Sequence, residues 1–247
     1  MRDEMRGHRL ALEYERAEIG LKDQRIRSTV VVFGSARAKP TVGRRSSSAK
    51  SSQDHRSAKD DLSTWYQEAR KFGGIISERG GALSSAGGFR DNVIATGGGP
   101  GIMEAANRGA RDAGAPSIGF NIWLPQEQHP NKYVTPELSF HFRYFAVRKM
   151  HFAMRANALA VFPGGFGTLD ELFEILTLKQ TRKTRGMPVL LFCKHYWESV
   201  VDFGVLAKFE AISSEDLELF DIVDSAEEGW ERLLERGLTI ATPLWEE

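Results

Sequence analysis

Pro163-Gly164-Gly165-Phe166-Gly167-Thr168-Leu169-Asp170-Glu171 joins the apolar run Ala158-Leu159-Ala160-Val161-Phe162 to the helical pattern Leu172-Phe173-Glu174-Ile175-Leu176. A strand that stops at Pro-Gly-Gly, followed by a 3.6-residue period that starts after Thr168, places a tight turn at the mouth of a helix. Gly164, Gly165 and Gly167 let the backbone come close to a ligand. The first helical N–H groups lack intrahelical acceptors, and the helix dipole adds positive potential there. Such a corner binds an anion. The dipole supplies only about 0.3–2 kcal/mol, so further donors and cations must converge on the same point. Glu171 has two readings. With Thr168 it forms the Thr-x-x-Glu pattern of an N-terminal cap in the first turn, and it is equally a carboxylate turned toward another part of the ligand.

A second corner of the same kind follows Val93-Ile94-Ala95-Thr96, where Gly97-Gly98-Gly99-Pro100-Gly101 opens the helical stretch Ile102-Met103-Glu104-Ala105-Ala106-Asn107-Arg108-Gly109-Ala110. Two glycine corners in one chain point to convergence on one ligand. Gly34, Ser35 and Arg37 come after the β-branched run Thr29–Phe33, where an open α/β sheet presents its strand ends to ligands. Arg148 and Lys149 sit near the start of the helix that precedes the strand feeding Pro163. Two bases on a helix ordinarily form a solvated face, but the short connections of an α/β fold can bring Arg148 to Glu171.

Other chemistries find no support. The dinucleotide pattern G-x-G-x-x-G, started at Gly97, would need glycine where Ile102 stands, and no G-K-[ST] completes a P-loop. His129 has no second histidine at ligand spacing, and neither HExxH nor paired CxxC occurs, so no metal is expected.

The positioning elements alternate along the chain. Residues 1–28 read as a charged helical arm and 29–247 as one domain. After the first strand, Lys39 to Lys59 is a Ser- and base-rich loop. A helix runs from Asp60 to Phe72 and ends at Gly73-Gly74, and residues 75–91 show no clear period. Strands follow at 93–96 and 117–122. A polar loop covers 124–136, Ser139–Tyr144 alternates like a strand, and 146–157 is helical. Beyond the strand at 158–162, the central helix reaches about Gln180, with strands at 188–193 and 219–223 and helices at 197–209 and 226–237. This order predicts an α/β fold, an open parallel sheet with helices on both faces and ligands at the strand carboxyl ends.

With 33 basic and 33 acidic residues among 247, the chain has no net field that favours nucleic acid or a membrane surface. The single cysteine, Cys193, excludes an intrachain disulfide and suits a reducing compartment. No apolar stretch has signal-peptide or membrane-span character, and a cytoplasmic protein is expected.

Gly97-Gly98-Gly99-Pro100-Gly101-Ile102-Met103-Glu104, Arg148-Lys149 and Pro163 through Glu171 together resemble the LONELY GUY (LOG) family of phosphoribohydrolases, over roughly residues 29–225. The family releases cytokinin bases from riboside 5′-monophosphates. The resemblance implies a Rossmann-like homodimer or higher homo-oligomer that works without a cofactor on a nucleoside 5′-monophosphate. It makes Arg148 and Glu171 the catalytic pair. Gly34, Ser35, Gly98, Gly99, Gly101, Glu104, Lys149, Gly164, Gly165, Gly167 and Thr168 become substrate-binding residues. Members also carry the label lysine decarboxylase, but nothing in the sequence marks a pyridoxal phosphate site. The longer arm and the Arg44 to Lys59 loop depart from the compact plant-type pattern. A non-enzymatic carrier of a nucleotide or phosphorylated pterin would use the same fold. It would need the glycine corners but not an acid at the ribose.

Overall fold

The computed structural model describes residues 3–40, 62–83, 86–123, 129–184 and 186–240; the sequence-predicted loop therefore lies outside the described residues from position 41 onward. The strands are β1 (Thr29–Phe33), β2 (Val93–Thr96), β3 (Ser117–Ile122), β4 (Ser139–Phe142), β5 (Ala156–Val161), β6 (Val189–Phe192) and β7 (Asp221–Val223). They form one seven-stranded sheet in the order β4-β3-β2-β1-β5-β6-β7, and every pairing is parallel. A parallel sheet is covered on both faces, so its central strands are continuous apolar runs. In β1, Val30 and Val32 enter one core and Val31 and Phe33 the other.

The first core packs under α2 (Leu62–Arg79), α3 (Ile102–Asp112) and α8 (Ala226–Glu235). The second packs under α1 (Arg6–Asp23), α4 (Phe145–Met154), α5 (Phe166–Gln180) and α6 (Lys194–Val200), and α7 (Phe203–Lys208) follows at the edge. The N-terminal helix grips α4 at both ends. The Glu13 carboxylate accepts the N–H of Tyr144, the N-cap residue of α4, at 3.2 Å. Beyond the other end, Arg155 Nη2 donates to Glu18 Oε2 at 2.6 Å.

Gly73 and Gly74 do not end a helix: α2 runs through both to Arg79. They serve a close helix crossing. A Cβ on Gly73 would lie 2.3 Å from Ala106 O, and one on Gly109 would lie 1.9 Å from Arg70 O, so α2 and α3 touch backbone to backbone. Gly109→Ala should therefore destabilise the fold by about 1–3 kcal/mol, measured as a fall in the urea midpoint. Gly7→Ala, where a Cβ meets nothing within 4 Å, should leave the midpoint unchanged or slightly raised.

The expected helix at 197–209 is two helices. Asp202 starts the second by accepting the Val205 N–H. The last strand is shorter than expected because a Ser213–Asp216 capping box winds residues 214–219 into a 3₁₀ turn.

Candidate active site

The chain places β2, β3 and β4 outward from one side of β1 and then returns to its other side with β5. Beyond the carboxyl ends of β1 and β5, at this reversal, an α/β sheet opens a crevice. The loops after the two strands are joined there by a 2.9 Å bond from Ser35 N–H to Pro163 O. They wall a cavity of about 730 Å³ that takes in Gly34, Ser35, Arg37, Arg148, residues 163–171 and Tyr196.

Glu171 faces this cavity. It lies beyond the first turn of α5, which carries no acid, and the helix has no side-chain cap; the capping reading is thereby replaced. Arg148, from α4, reaches it with Nη1 3.5 Å from Oε1, the two side chains being 12 % and 8 % exposed. The guanidinium is fixed on its other sides as well. Its Nε donates to Phe120 O at 2.8 Å, and its carbon lies 5.0 Å from the centre of the Phe152 ring. Burial pushes the Glu171 carboxyl up, the Arg148 and Lys149 charges pull it down, and burial wins, leaving it at about 7. Burial also lowers the Arg148 pKa against the opposing pull of Glu171 and Asp170. Near neutral pH the acid therefore exchanges a proton readily while its partner stays a cation.

The Pro163 corner forms the anion end. Gly165 caps α5, and its carbonyl takes the N–H groups of Thr168 and Leu169 at 2.9 and 3.1 Å. The N–H groups of Phe166 and Gly167 are among those a first helical turn leaves without an intrahelical partner, and both residues line the cavity. The signature glycines divide by purpose. A Cβ on Gly164 would strike Thr168 Oγ1 at 2.1 Å, whereas on Gly165 or Gly167 it would meet no protein atom within 4 Å. Their missing side chains leave room on the cavity side.

The Gly97 corner approaches from behind. Gly98, Gly99, Gly101 and Glu104 are not among the cavity-lining residues. The first N–H of α3, on Ile102, is already taken by Ser35 O at 3.0 Å, and Glu104 accepts the Tyr66 hydroxyl at 2.9 Å. A Cβ on Gly97 would lie 2.7 Å from Arg148 Nη2, so this corner supports the guanidinium. Gly34 gives way to Ile102, whose side chain a Cβ would meet at 2.7 Å, and Ser35 Oγ accepts the Arg37 N–H at 3.1 Å. Lys149 is outside the cavity and bridges Asp170 and Glu174 at 2.8 and 3.0 Å.

Tyr196, Leu62, Met103 and Phe145 line the cavity without having been singled out in the sequence. The Tyr196 hydroxyl donates to Gly164 O and so holds the signature corner from α6. Its only signal was position, just past the carboxyl end of a strand. Among the described residues no group of His, Cys, Asp and Glu side chains is arranged to hold a metal ion, and no helix is long and apolar enough to cross a membrane.

An acid–guanidinium pair and a helix N-terminus share one crevice at the switch point of an open parallel sheet, the place where α/β proteins of this class take their ligands. Residues 103–233, just over half of the chain, match the family described as "possible lysine decarboxylase", and the chain belongs to that family, which includes the LOG proteins. It is 28% identical to the cytokinin riboside 5′-monophosphate phosphoribohydrolase LOG of Oryza sativa subsp. japonica, over 65% of this chain and 62% of that one. It is 29% identical to the phosphoribohydrolase LOG7 of Arabidopsis thaliana, over 56% of this chain and 59% of that one. The match thus spans about three fifths of either relative.

Two solved structures share the fold. One is a molybdenum cofactor binding protein from Rippkaea orientalis, with a TM-score of 0.52 and 19% identity, over 86% of this chain and 96% of that one. The other is the structural-genomics target TM1055, with a TM-score of 0.51 and 18% identity, over 84% and 99%.

Proposed function

We propose that this protein hydrolyses the N-glycosidic bond of a nucleoside 5′-monophosphate, a cytokinin riboside monophosphate or AMP, releasing the free base and ribose 5-phosphate. The observation that carries the reading is the buried Glu171 carboxylate, paired with Arg148 in the same cavity as the open N-terminus of α5. In this reading the N–H groups of the Pro163 corner hold the 5′-phosphate, with Arg37 lining the same cavity. The phosphate anchor fixes the ribose beside Glu171. As the bond from C1′ to the base nitrogen breaks, positive charge builds on the sugar. The carboxylate stabilises that charge and orients a water, whose oxygen bonds to C1′ while the base departs with its electron pair; the proton the water gives up ends on the base.

Arg148 keeps the carboxylate oriented. It also draws the Glu171 pKa down far enough for the ionised form to be available near neutral pH. Decarboxylation through pyridoxal phosphate needs a lysine to form the imine. None lines the cavity among the described residues, and Lys149 is held by two carboxylates. Assembly as a homodimer or higher homo-oligomer in the cytoplasm completes the reading; Phe166, 92 % exposed at the cavity wall, supports a covering partner.

The test is incubation with a panel of nucleoside 5′-monophosphates and the matching nucleosides, with chromatography for free base. Base should appear from monophosphates and fall by on the order of 100-fold or more without the phosphate. Tight nucleotide binding with no base released would instead make the protein a carrier.

A further inference from the structure

Behind the cavity, the Gly97–Gly101 corner is tied down by a polar network that touches no part of the cavity. Asn131 supplies its centre. The Asn131 backbone N–H donates to Gly98 O at 2.8 Å. Its side-chain Nδ2 lies 3.2 Å from Gly98 O, 3.0 Å from Gly99 O and 3.0 Å from Asn107 Oδ1. The Tyr133 N–H donates to Asn131 Oδ1 at 3.1 Å and so fixes the amide's orientation. Thr96 closes the ring: its hydroxyl donates to Asn107 Oδ1 at 2.8 Å and accepts the Gly98 N–H at 2.9 Å. Thr96 and Asn107 are fully buried. Gly98, at a φ of +69°, packs against Asn121, which a Cβ there would strike at 2.5 Å, so only glycine fits this turn.

The other side of this corner is the surface on which Arg148 rests. Gly97 is so close to Nη2 that even a methyl group would collide with it. The guanidinium is therefore confined between Gly97, Phe120 O and the Phe152 ring, with Nη1 directed at Glu171. Of these walls, the glycine corner carries a single side chain, that of Pro100. The network ties down its centre, at Gly98 and Gly99.

We infer that Asn131 is a positioning residue for the Arg148–Glu171 pair: by binding the carbonyls of Gly98 and Gly99 it holds Gly97 against the guanidinium and keeps Arg148 aimed at the acid. The inference assigns a role to a residue outside the cavity and rests on the proposed reaction only for its kinetic consequence. A misplacement of an ångström in such a pair is enough to cost a large factor in rate.

The experiment titrates the Glu171 carboxyl in the ligand-free protein by 13C NMR, with the signal assigned from its absence in Glu171→Gln. The charged groups facing Glu171 are Arg148 and Lys149 on α4 and Asp170 and Glu174 on its own helix. Asn131→Ala alters none of them, so a shift reports the placement of Arg148. With the guanidinium loosened, the Glu171 midpoint should rise by about half a unit or more, and kcat should fall on the order of 10-fold without a matching rise in KM. Thr96→Val, which cuts the next link while keeping the side-chain shape, should move both quantities in the same direction and serves if the first variant does not fold. Asn157→Ala removes a half-buried amide that donates to Asn92 at 3.0 Å at the opposite end of the sheet and should leave the Glu171 midpoint where it is. An unchanged Glu171 midpoint in Asn131→Ala and Thr96→Val overturns the inference, as does an equal shift in Asn157→Ala. If the wild-type protein releases no base from any monophosphate, the hydrolase reading fails, and the titration still decides the role of Asn131.

Discussion

Glu171→Gln should lower kcat by about 100-fold or more while nucleotide affinity stays within a few-fold of wild type. Glutamine keeps the shape and hydrogen-bonding reach of the acid but cannot carry the negative charge that an electron-poor ribose requires. Rate is therefore lost and ground-state binding is kept. Wild-type-like turnover in this variant would remove Glu171 from the mechanism.

The same substitution carries a thermodynamic signature. In the folded protein burial pushes the carboxyl up to about 7, above its ordinary value of 4.5. The folded state therefore holds its proton more tightly than the unfolded chain does. The stability that this proton contributes is complete below about pH 4.5 and drains away as pH rises through 7. A glutamine mimics the protonated acid at every pH. Glu171→Gln should thus match wild type near pH 4.5 and exceed it at pH 8 by on the order of 2–3 kcal/mol, read from urea midpoints at the two pH values. Wild-type kcat/KM should rise with pH through an inflection near 7, since in the proposed reaction the ionised acid is the working form. A rate that falls across that range would make the protonated acid the working form instead.

Arg148→Met is expected to be the second most damaging change. Methionine keeps the unbranched stem but removes the charge, so the Glu171 midpoint climbs further above 7 and the acid is protonated at neutral pH. Turnover at pH 7 should drop by on the order of 100-fold, and part of that loss should return as pH is raised and the acid is forced to ionise. Stability should move the other way. An unpaired buried carboxylate costs about 3–5 kcal/mol, so the variant should lose little at pH 6 and progressively more toward pH 9. A rate deficit with no pH dependence would mean that Arg148 does not act through Glu171.

The sheet was legible because parallel strands buried on both faces are short apolar runs between glycine-rich corners, and residues 29–33, 93–96 and 117–122 were placed within those bounds. Gly73 and Gly74 were misread for a physical reason. A glycine pair that breaks a helix and one that lets two helices meet look alike in one sequence, and only the carbonyls of Arg70 and Ala106 tell them apart. The break between α6 and α7 could have been read from Asp202, a residue type that caps helix starts.

Within the site, Glu171 stood out as an acid beside an anion corner, and short α/β connections allowed its approach to Arg148 without fixing it. The division of labour between the two glycine corners could not be read, because it depends on a long-range contact, Ser35 O taking the first N–H of α3 and leaving that of α5 open. Tyr196 carried no local pattern at all.

Glu13 at one end of α4 and Glu18 just past the other make the first helix of the chain a splint for the helix that bears Arg148. The splint itself, α1, lies wholly outside the matched segment 103–233. Two relatives with identical signature motifs but different leading segments can therefore differ in how firmly the guanidinium is held. Divergence in this family can proceed by exchanging the splint while every reacting group stays the same.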